Sequence, residues 1–313
     1  MKKELLDLLI CPVCLPAEVS LAETILESSA TDIQEGELHC PECGRTYPIT
    51  NGIADLDPNR GKSPSVGKNK YETVPVVSSY LWSHYADVFN DENASTAYRQ
   101  WADLMQPHQG LAIDAGAAVG RFTFEMSCKC DFAVGLDNSR AFIRTARELM
   151  QSRTMTVALK QEGNITSDVT LTLPSEWDSK KVEFIVADAL ALPFRAGSAG
   201  SVSSLNLIDK VPQPMQHLCE MNRVARHTDG QFLLSDPFSW SEEAAKEEDW
   251  LGGMTSGPNK GKGLDNIMAM LCGNPGHLPP KWMVTTHGHV WWKIRTHSNH
   301  YEQIRSCYVK ASR

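Results

Sequence analysis

Apolar positions follow two regimes along this chain. Over residues 1–57 they come as short pieces such as LLDLLI, LAETIL and YPITNGIADL, separated by turn residues and acids. From about residue 76 compact apolar runs alternate with longer segments of helical period. Residues 79–105 read as helices that cap a domain. The segments GLAIDAG, FAVGLD, VEFIVAD, GSVSSLNL and GQFLLSD read as strands, with helical stretches such as NSRAFIRTARELM between them. Strands alternating with helices predict a parallel, doubly wound α/β sheet of Rossmann-like type, with ligands bound beyond the strand C-termini. The tail from Thr286 to Arg313 reads as the last antiparallel strands of that sheet. Residues 154–173 are β-branched and break at Glu162-Gly163-Asn164, which predicts an inserted β-hairpin, as plausibly a surface decoration as a functional element. Residues 58–75 have no apolar period and are rich in Gly, Pro, Ser and Lys, so they read as a linker between a domain at 1–57 and a domain at 76–313.

A length of 313 residues, with 42% hydrophobic and 22% charged residues, suits a small unit plus one of catalytic size. There is no run of 18 apolar residues and no signal-peptide pattern, so neither a membrane span nor secretion is expected. Cysteine usage points to reduced thiols and a cytoplasmic setting: of nine cysteines, four form two Cys-x-x-Cys pairs and the rest are scattered. The charge of −8 is uneven. Residues 1–60 hold 4 Lys/Arg against 11 Asp/Glu, which opposes a nucleic-acid role for this module, whereas residues 281–313 hold 6 Lys/Arg, 4 His and one acid.

Cys11 and Cys14 in CPVC, with Cys40 and Cys43 in CPEC, have the spacing of two zinc knuckles that together make a closed four-thiolate site. Such a site has no open position, so a structural Zn²⁺ is expected, and about sixty residues need that metal to fold. A redox dithiol is the weaker alternative, since no thioredoxin-like pattern surrounds either pair. The segments LLDLLICPVC and LHCPECGRTYPITNGIADLDP resemble the small zinc-ribbon proteins that activate RNA and protein methyltransferases. That resemblance implies a ribbon able to make protein contacts, here fused to its partner. Between the knuckles, a strand and a loop or short helix are expected.

The turn Asp114-Ala115-Gly116-Ala117-Ala118-Val119-Gly120 is the first chemical signal of the second domain. Gly116 and Gly120 permit close backbone approach to a ligand, and Ala117 keeps the turn small. Asp137 and Asn138 stand at the end of the second strand, where a carboxylate accepts ribose hydroxyls. Asp188 and Ala189 follow the third strand, in reach of an adenine amino group. This set resembles the class I S-adenosylmethionine (SAM) dependent methyltransferases over residues 110–240, which implies SAM as cofactor. A dehydrogenase would call for a more glycine-rich turn.

The segments AIDAGAAVGRFTFEM, NLIDKVPQP, SDPFSWSEEAAKEEDWLGG and YLWSHYADVF resemble the methyltransferase domain of ovothiol-synthesis enzymes, and LID is similar to a segment of carnosine N-methyltransferases. The resemblance implies N-methylation of an imidazole, on a histidine-derived small molecule or a protein histidine. It also implies that Asp209 and Asn206 orient the ring, since Asp209 would accept a hydrogen bond from the ring N–H and stabilise the developing imidazolium. Read from residue type alone, Asn206 equally caps a turn and Asp209 opens a helix. Tyr80, Tyr85, Trp240 and Trp250 are candidate pocket walls for a flat ring, and His84 a base or substrate contact. Two other readings stand beside this one: a zinc-ribbon RNA methyltransferase, and a SAM-binding regulator without turnover.

Overall fold

The computed structural model describes residues 1–59, 70–274, 276 and 278–313. The N-terminal part is an antiparallel sheet in the order β1 (Ala22–Ser28), β2 (Ile33–His39), β3 (Thr46–Thr50) and β4 (Ile53–Ala54). The stretch between the knuckles therefore makes two strands and no helix. The sequence Ser29-Ala30-Thr31-Asp32 closes them into a hairpin: Ser29 N–H donates to Asp32 O at 2.7 Å and Asp32 N–H to Ser29 Oγ at 3.0 Å. Short polar side chains that bond to nearby backbone favour such a turn over a helix.

After α1 (Val74–Tyr85) and α2 (Ala97–Asp103) the strand–helix alternation begins. It runs β5 (Leu111–Ala115), α3 (Arg121–Met126), β6 (Phe132–Asp137) and α4 (Arg140–Ser152). The inserted hairpin follows as β7 (Thr154–Glu162) and β8 (Ile165–Thr172), turning where the glycine predicts. Then come β9 (Val182–Val186), β10 (Ala199–Leu205), α5 (Pro214–Val224), β11 (Gln231–Asp236) and α6 (Gly263–Leu271), with β12 (Met283–His297) and β13 (His300–Ser312) at the end. Seven strands lie in the order β12-β13-β11-β10-β5-β6-β9. The five strands β11, β10, β5, β6 and β9 are parallel, and every position of β5, β9, β10 and β11 is buried, as expected for strands covered on both faces. The fold class read from the sequence is the fold observed.

Residues 60–69 of the segment read as linker lie outside the described residues. Its end is structured: Lys70–Glu72 form a 3-10 turn and α1 starts at Val74. The Glu72 carboxylate accepts from Arg140 N–H at 2.9 Å and Ala141 N–H at 3.1 Å, so it caps α4 beside the helix dipole.

The small sheet covers the exposed edge of β9. Asp55 bridges Val186 in parallel, Leu56 N–H donates to Val186 O at 2.8 Å, and Ile10 N–H donates to Pro193 O at 3.0 Å. An unpaired edge is thereby closed. Leu5, Leu9, Leu38 and Leu56 join Ile185, Leu192 and Phe194 in one continuous core. Through this interface runs a buried ion pair: the Arg147 guanidinium on α4 meets Glu183 of β9, and Glu183 is fully buried. Arg147 Nη2 also lies 3.8 Å from Asp32 of the small sheet.

Breaking such a pair leaves a buried carboxylate uncompensated. Arg147→Met is expected to destabilise the chain by about 3–5 kcal/mol, whereas Asp32→Asn, at the wetter end, is expected to cost less than about 1 kcal/mol. Urea denaturation of both variants checks this, and equal losses would refute the assignment.

Candidate active site and metal centre

Cys11 and Cys14 lie in the turn after the 3-10 segment Lys3–Leu8, and Cys40 and Cys43 in the turn after β2. Cys11 Sγ is 3.7 Å from Cys43 Sγ, Cys14 Sγ is 3.6 Å from Cys40 Sγ, and all four lie within 4.8 Å of one another. A tetrahedron of thiolates about 2.3 Å from zinc has edges of about 3.8 Å. The geometry therefore fits one Zn²⁺ held by the four cysteines. The Tyr47 hydroxyl, 3.2 Å from Cys11 Sγ, supports that sulfur from outside the ligand set.

A cavity opens at the C-terminal ends of β5, β6, β9 and β10. One end is polar. Gly116, with φ +77, turns the chain after β5, and a Cβ there would stand 3.0 Å from the Leu207 side chain. At the end of β6, Asp137 Oδ2 accepts from Ala118 N–H at 3.0 Å and Oδ1 from Ser139 N–H at 2.8 Å. Both carboxylate oxygens keep lone pairs free for ribose hydroxyls. After β9, Asp188 Oδ1 accepts from Leu190 N–H at 2.9 Å, and Oδ2 accepts from Asn59 Nδ2 at 3.2 Å. Asn138 and Ala189 complete this end. The glycine cradle and the two carboxylates fit the ribose and adenine of SAM.

The other end is aromatic. Tyr80 and His84 come from α1, Tyr98 from α2, Phe142 from α4 and Trp292 from β12, with Tyr71 behind Tyr80. The Tyr80 and Phe142 rings are 4.7 Å apart, and the His84 and Tyr98 rings 4.2 Å. The Tyr98 hydroxyl is 2.6 Å from His84 Nε2, while His84 Nδ1 and Trp292 Nε1 are buried without a protein partner. Burial, and then the Arg121 guanidinium, push the His84 imidazolium well below its ordinary range, so His84 is neutral at pH 7. Arg121 donates to the His84 carbonyl at 2.9 Å and pairs with Asp87 and Glu125 at 2.7 and 2.6 Å.

The cavity thus brings together Gly116, Asp137, Asn138, Asp188, Ala189, Asn206, Tyr80 and His84 of the residues singled out from sequence. Others stand apart from its walls. Asp114 lies beneath the turn, accepting from Thr123 Oγ1 at 2.8 Å and Ser203 Oγ at 3.0 Å, and burial lifts its carboxyl to about 6. Ala117 is buried, and Gly120 (φ +88) packs on Phe184 as the N-cap of α3. Tyr85 donates to Val119 O at 2.8 Å, behind the turn. Trp240 and Trp250 stack on each other, 6.4 Å apart, in the segment after β11.

The placement of Asp209 differs most from expectation. It sits in the 3-10 turn Ile208–Lys210 with its side chain fully buried, and Oδ2 accepts from Ser239 N–H at 2.7 Å. Oδ1 faces Lys210 Nζ at 3.2 Å, and it is Lys210 that lines the cavity. Asn206 does line it, in a left-handed conformation (φ +56), but its Oδ1 accepts from Ser306 Oγ at 2.6 Å. Sequence reading missed Tyr71, Tyr98, Phe142, Lys210 and Trp292. The alternation in HVWWKI puts Val290, Trp292 and Ile294 on one strand face and His289, Trp291 and Lys293 on the other, a signal that could have found Trp292.

Residues 2–52 match the family described as Trm112p-like protein, and residues 113–234 match a methyltransferase domain. A curated relative from Arabidopsis thaliana, the chloroplastic "uncharacterized methyltransferase At1g78140", is 24% identical over 254 residues, covering 74% of this chain. The match spans 64% of the length of that relative. Among solved structures, the YcgJ protein of Bacillus subtilis aligns with a TM-score of 0.45 at 13% identity, over 70% of this chain and 98% of its own. A complex of the Haloferax volcanii Trm112 methyltransferase activator aligns with a TM-score of 0.46 at 12% identity, over 79% and 98%. The chain carries a Trm112p-like domain with a four-cysteine cluster and a SAM-dependent methyltransferase domain. The likeness to ovothiol-synthesis enzymes rests on the sequence segments alone.

Burial raises the Asp137 carboxyl to about 6. Its ionised form is the better acceptor for ribose hydroxyls, and that form is lost as pH falls through 6. SAM affinity measured by calorimetry is therefore expected to weaken about tenfold from pH 7 to pH 5, and Asp137→Asn to be weak and flat; a pH-independent wild type would contradict this. For the metal, atomic mass spectrometry should find one zinc per chain. Cys40→Ser should lose it and lower Tm by several degrees, about 1–3 kcal/mol of stability, and an unchanged Tm without zinc would exclude a structural role.

Proposed function

We propose that this chain is a SAM-dependent methyltransferase that N-methylates a neutral imidazole ring, on a histidine-derived small molecule or a protein histidine. The observation that carries the reading is the neutral His84–Tyr98 pair in the aromatic end of the cavity. SAM, when bound, supplies an electrophilic methyl group on a sulfonium. Asp137 and Asp188 hold its nucleoside at the polar end, and Gly116 leaves the space for it.

A neutral imidazole carries one N–H and one lone pair. With its proton on Nε2 shared with the Tyr98 oxygen, His84 presents a lone pair on Nδ1 that accepts the ring N–H. The opposite ring nitrogen then keeps its lone pair for the methyl group. Tyr80, Tyr98 and Trp292 give a flat ring its stacking surface and favour the cation that methylation creates. Burial raises the phenols of Tyr80 and Tyr98, so both remain protonated and uncharged at neutral pH. Asp209 acts in this scheme through Lys210, whose ammonium it holds at the cavity wall, and Asn206 shapes the wall through its backbone.

The test is methyl transfer from labelled SAM to histidine, mercaptohistidine, histidine dipeptides, a protein extract and total RNA. Label on an imidazole is the expected result. In that assay His84→Asn should lower kcat/KM about a hundredfold while SAM affinity stays within about threefold. Label confined to RNA would overturn the substrate reading.

A further inference from the structure

A second groove, of about 300 Å³, lies behind α1, away from the methyl-transfer cavity. Its walls are the first turns of α1, the tip of the β7–β8 hairpin and the end of β12. At its floor is Arg295, only 7% exposed, whose Nε has no hydrogen-bond partner. Among the described residues, no ion pair or hydrogen bond to this guanidinium is found.

A buried guanidinium without a counter-charge is costly to keep in place. The rest of the wall explains what it awaits. Lys160 stands on the rim, Ser79, Thr166 and Thr296 offer hydroxyls, Asn164 offers an amide, and no Asp or Glu lines the groove. The amino-terminal end of α1, a helix of 12 residues, also borders it and adds the positive end of the helix dipole. Two cations, hydroxyl donors and a helix start, with no carboxylate, form a receptor for an oxyanion, and arginine binds one through two parallel hydrogen bonds.

We propose that this groove binds the oxyanion group, phosphate or carboxylate, of a small anionic ligand. The inserted hairpin then has a role: it closes the third side of the site. An anion held there braces α1, which carries Tyr80 and His84, against β12, which carries Trp292, so the ligand steadies the aromatic cap of the catalytic cavity. The inference does not depend on which methyl acceptor the enzyme uses.

The test uses the full chain with inorganic phosphate as probe, at an ionic strength held constant with sodium chloride. Thermal unfolding and calorimetry should show a saturable response in the low millimolar range. Lys160→Ala, at an exposed position, should weaken it about tenfold, and Arg295→Met should abolish it. Because Arg295→Met removes an unpaired buried charge, it should unfold at or above the wild-type Tm in phosphate-free buffer. Acetate at the same ionic strength separates the two sources: competition with phosphate assigns a carboxylate ligand as well, and inertness assigns phosphate alone. A wild type that does not respond, or variants that respond as the wild type does, would overturn the proposal.

Discussion

A carboxylate with no access to water sets the terms on which the two parts of this chain fit together. Glu183 sits within β9, and its charge has to be met inside the protein. Arg147 meets it from α4, the Lys2 N–H from the small domain, and the Phe184 N–H from β9 itself. A slip of one residue would turn Glu183 to the opposite face of the sheet and leave it unpaired, so the pair pins the register of the edge. That register carries outward. Asp55 and Leu56 pair with Val186, and Asn59 then reaches Asp188, two residues beyond β9. The chain leaving the metal-binding domain thus borders the nucleoside end of the cofactor site.

The cavity holds two kinds of chemistry at its two ends. Its polar end keeps carboxylates near the strand termini, where backbone N–H groups hold them in place. Its aromatic end keeps ionisable groups neutral. Arg121 supports the aromatic end from behind: it anchors the carbonyl of His84, satisfies Asp87 and Glu125, and lies over the Trp177 ring at 4.5 Å. A fixed cation close to a buried imidazole opposes its protonation, so burial keeps the ring neutral and the residue that positions the cap reinforces it.

What could be read from sequence followed the range of the interactions involved. The two cysteine pairs and Asp137 at the end of an apolar strand are local patterns, and the strand–helix alternation fixes where such strand ends gather. Residues whose role depends on orientation within a tight turn were not legible. Asp209 and Lys210 are neighbours in a single 3-10 turn, and only packing against Ser239 decides that the lysine faces the cavity. Trp292 was legible on a strand, where it shares a face with Val290 and Ile294: Trp291 is 48% exposed, and Trp292 lines the cavity. Tyr71 lay in a segment without apolar period, and its place comes from contacts with Tyr80 and Phe142, which no local pattern encodes.

The length of β12 and β13 links the cavity to the groove behind α1. β11 pairs with β13 only as far as Cys307, yet the two terminal strands continue to pair with each other to His297 and His300. This overhang lifts Trp292 to the aromatic end of the cavity and carries Arg295, three residues on, to the groove. An unsupported overhang would be marginal, as would the isolated two-stranded β7–β8 sheet. They support each other: Ser298 donates through N–H and Oγ to Gln161 O at 3.2 and 2.7 Å, and Ser78 Oγ donates to Ala158 O at 2.5 Å from α1. Each element is held by the other two, and the space left where the three meet contains the unpaired guanidinium. An anion at that junction acts on the overhang, and through it on Trp292, without touching the reacting atoms.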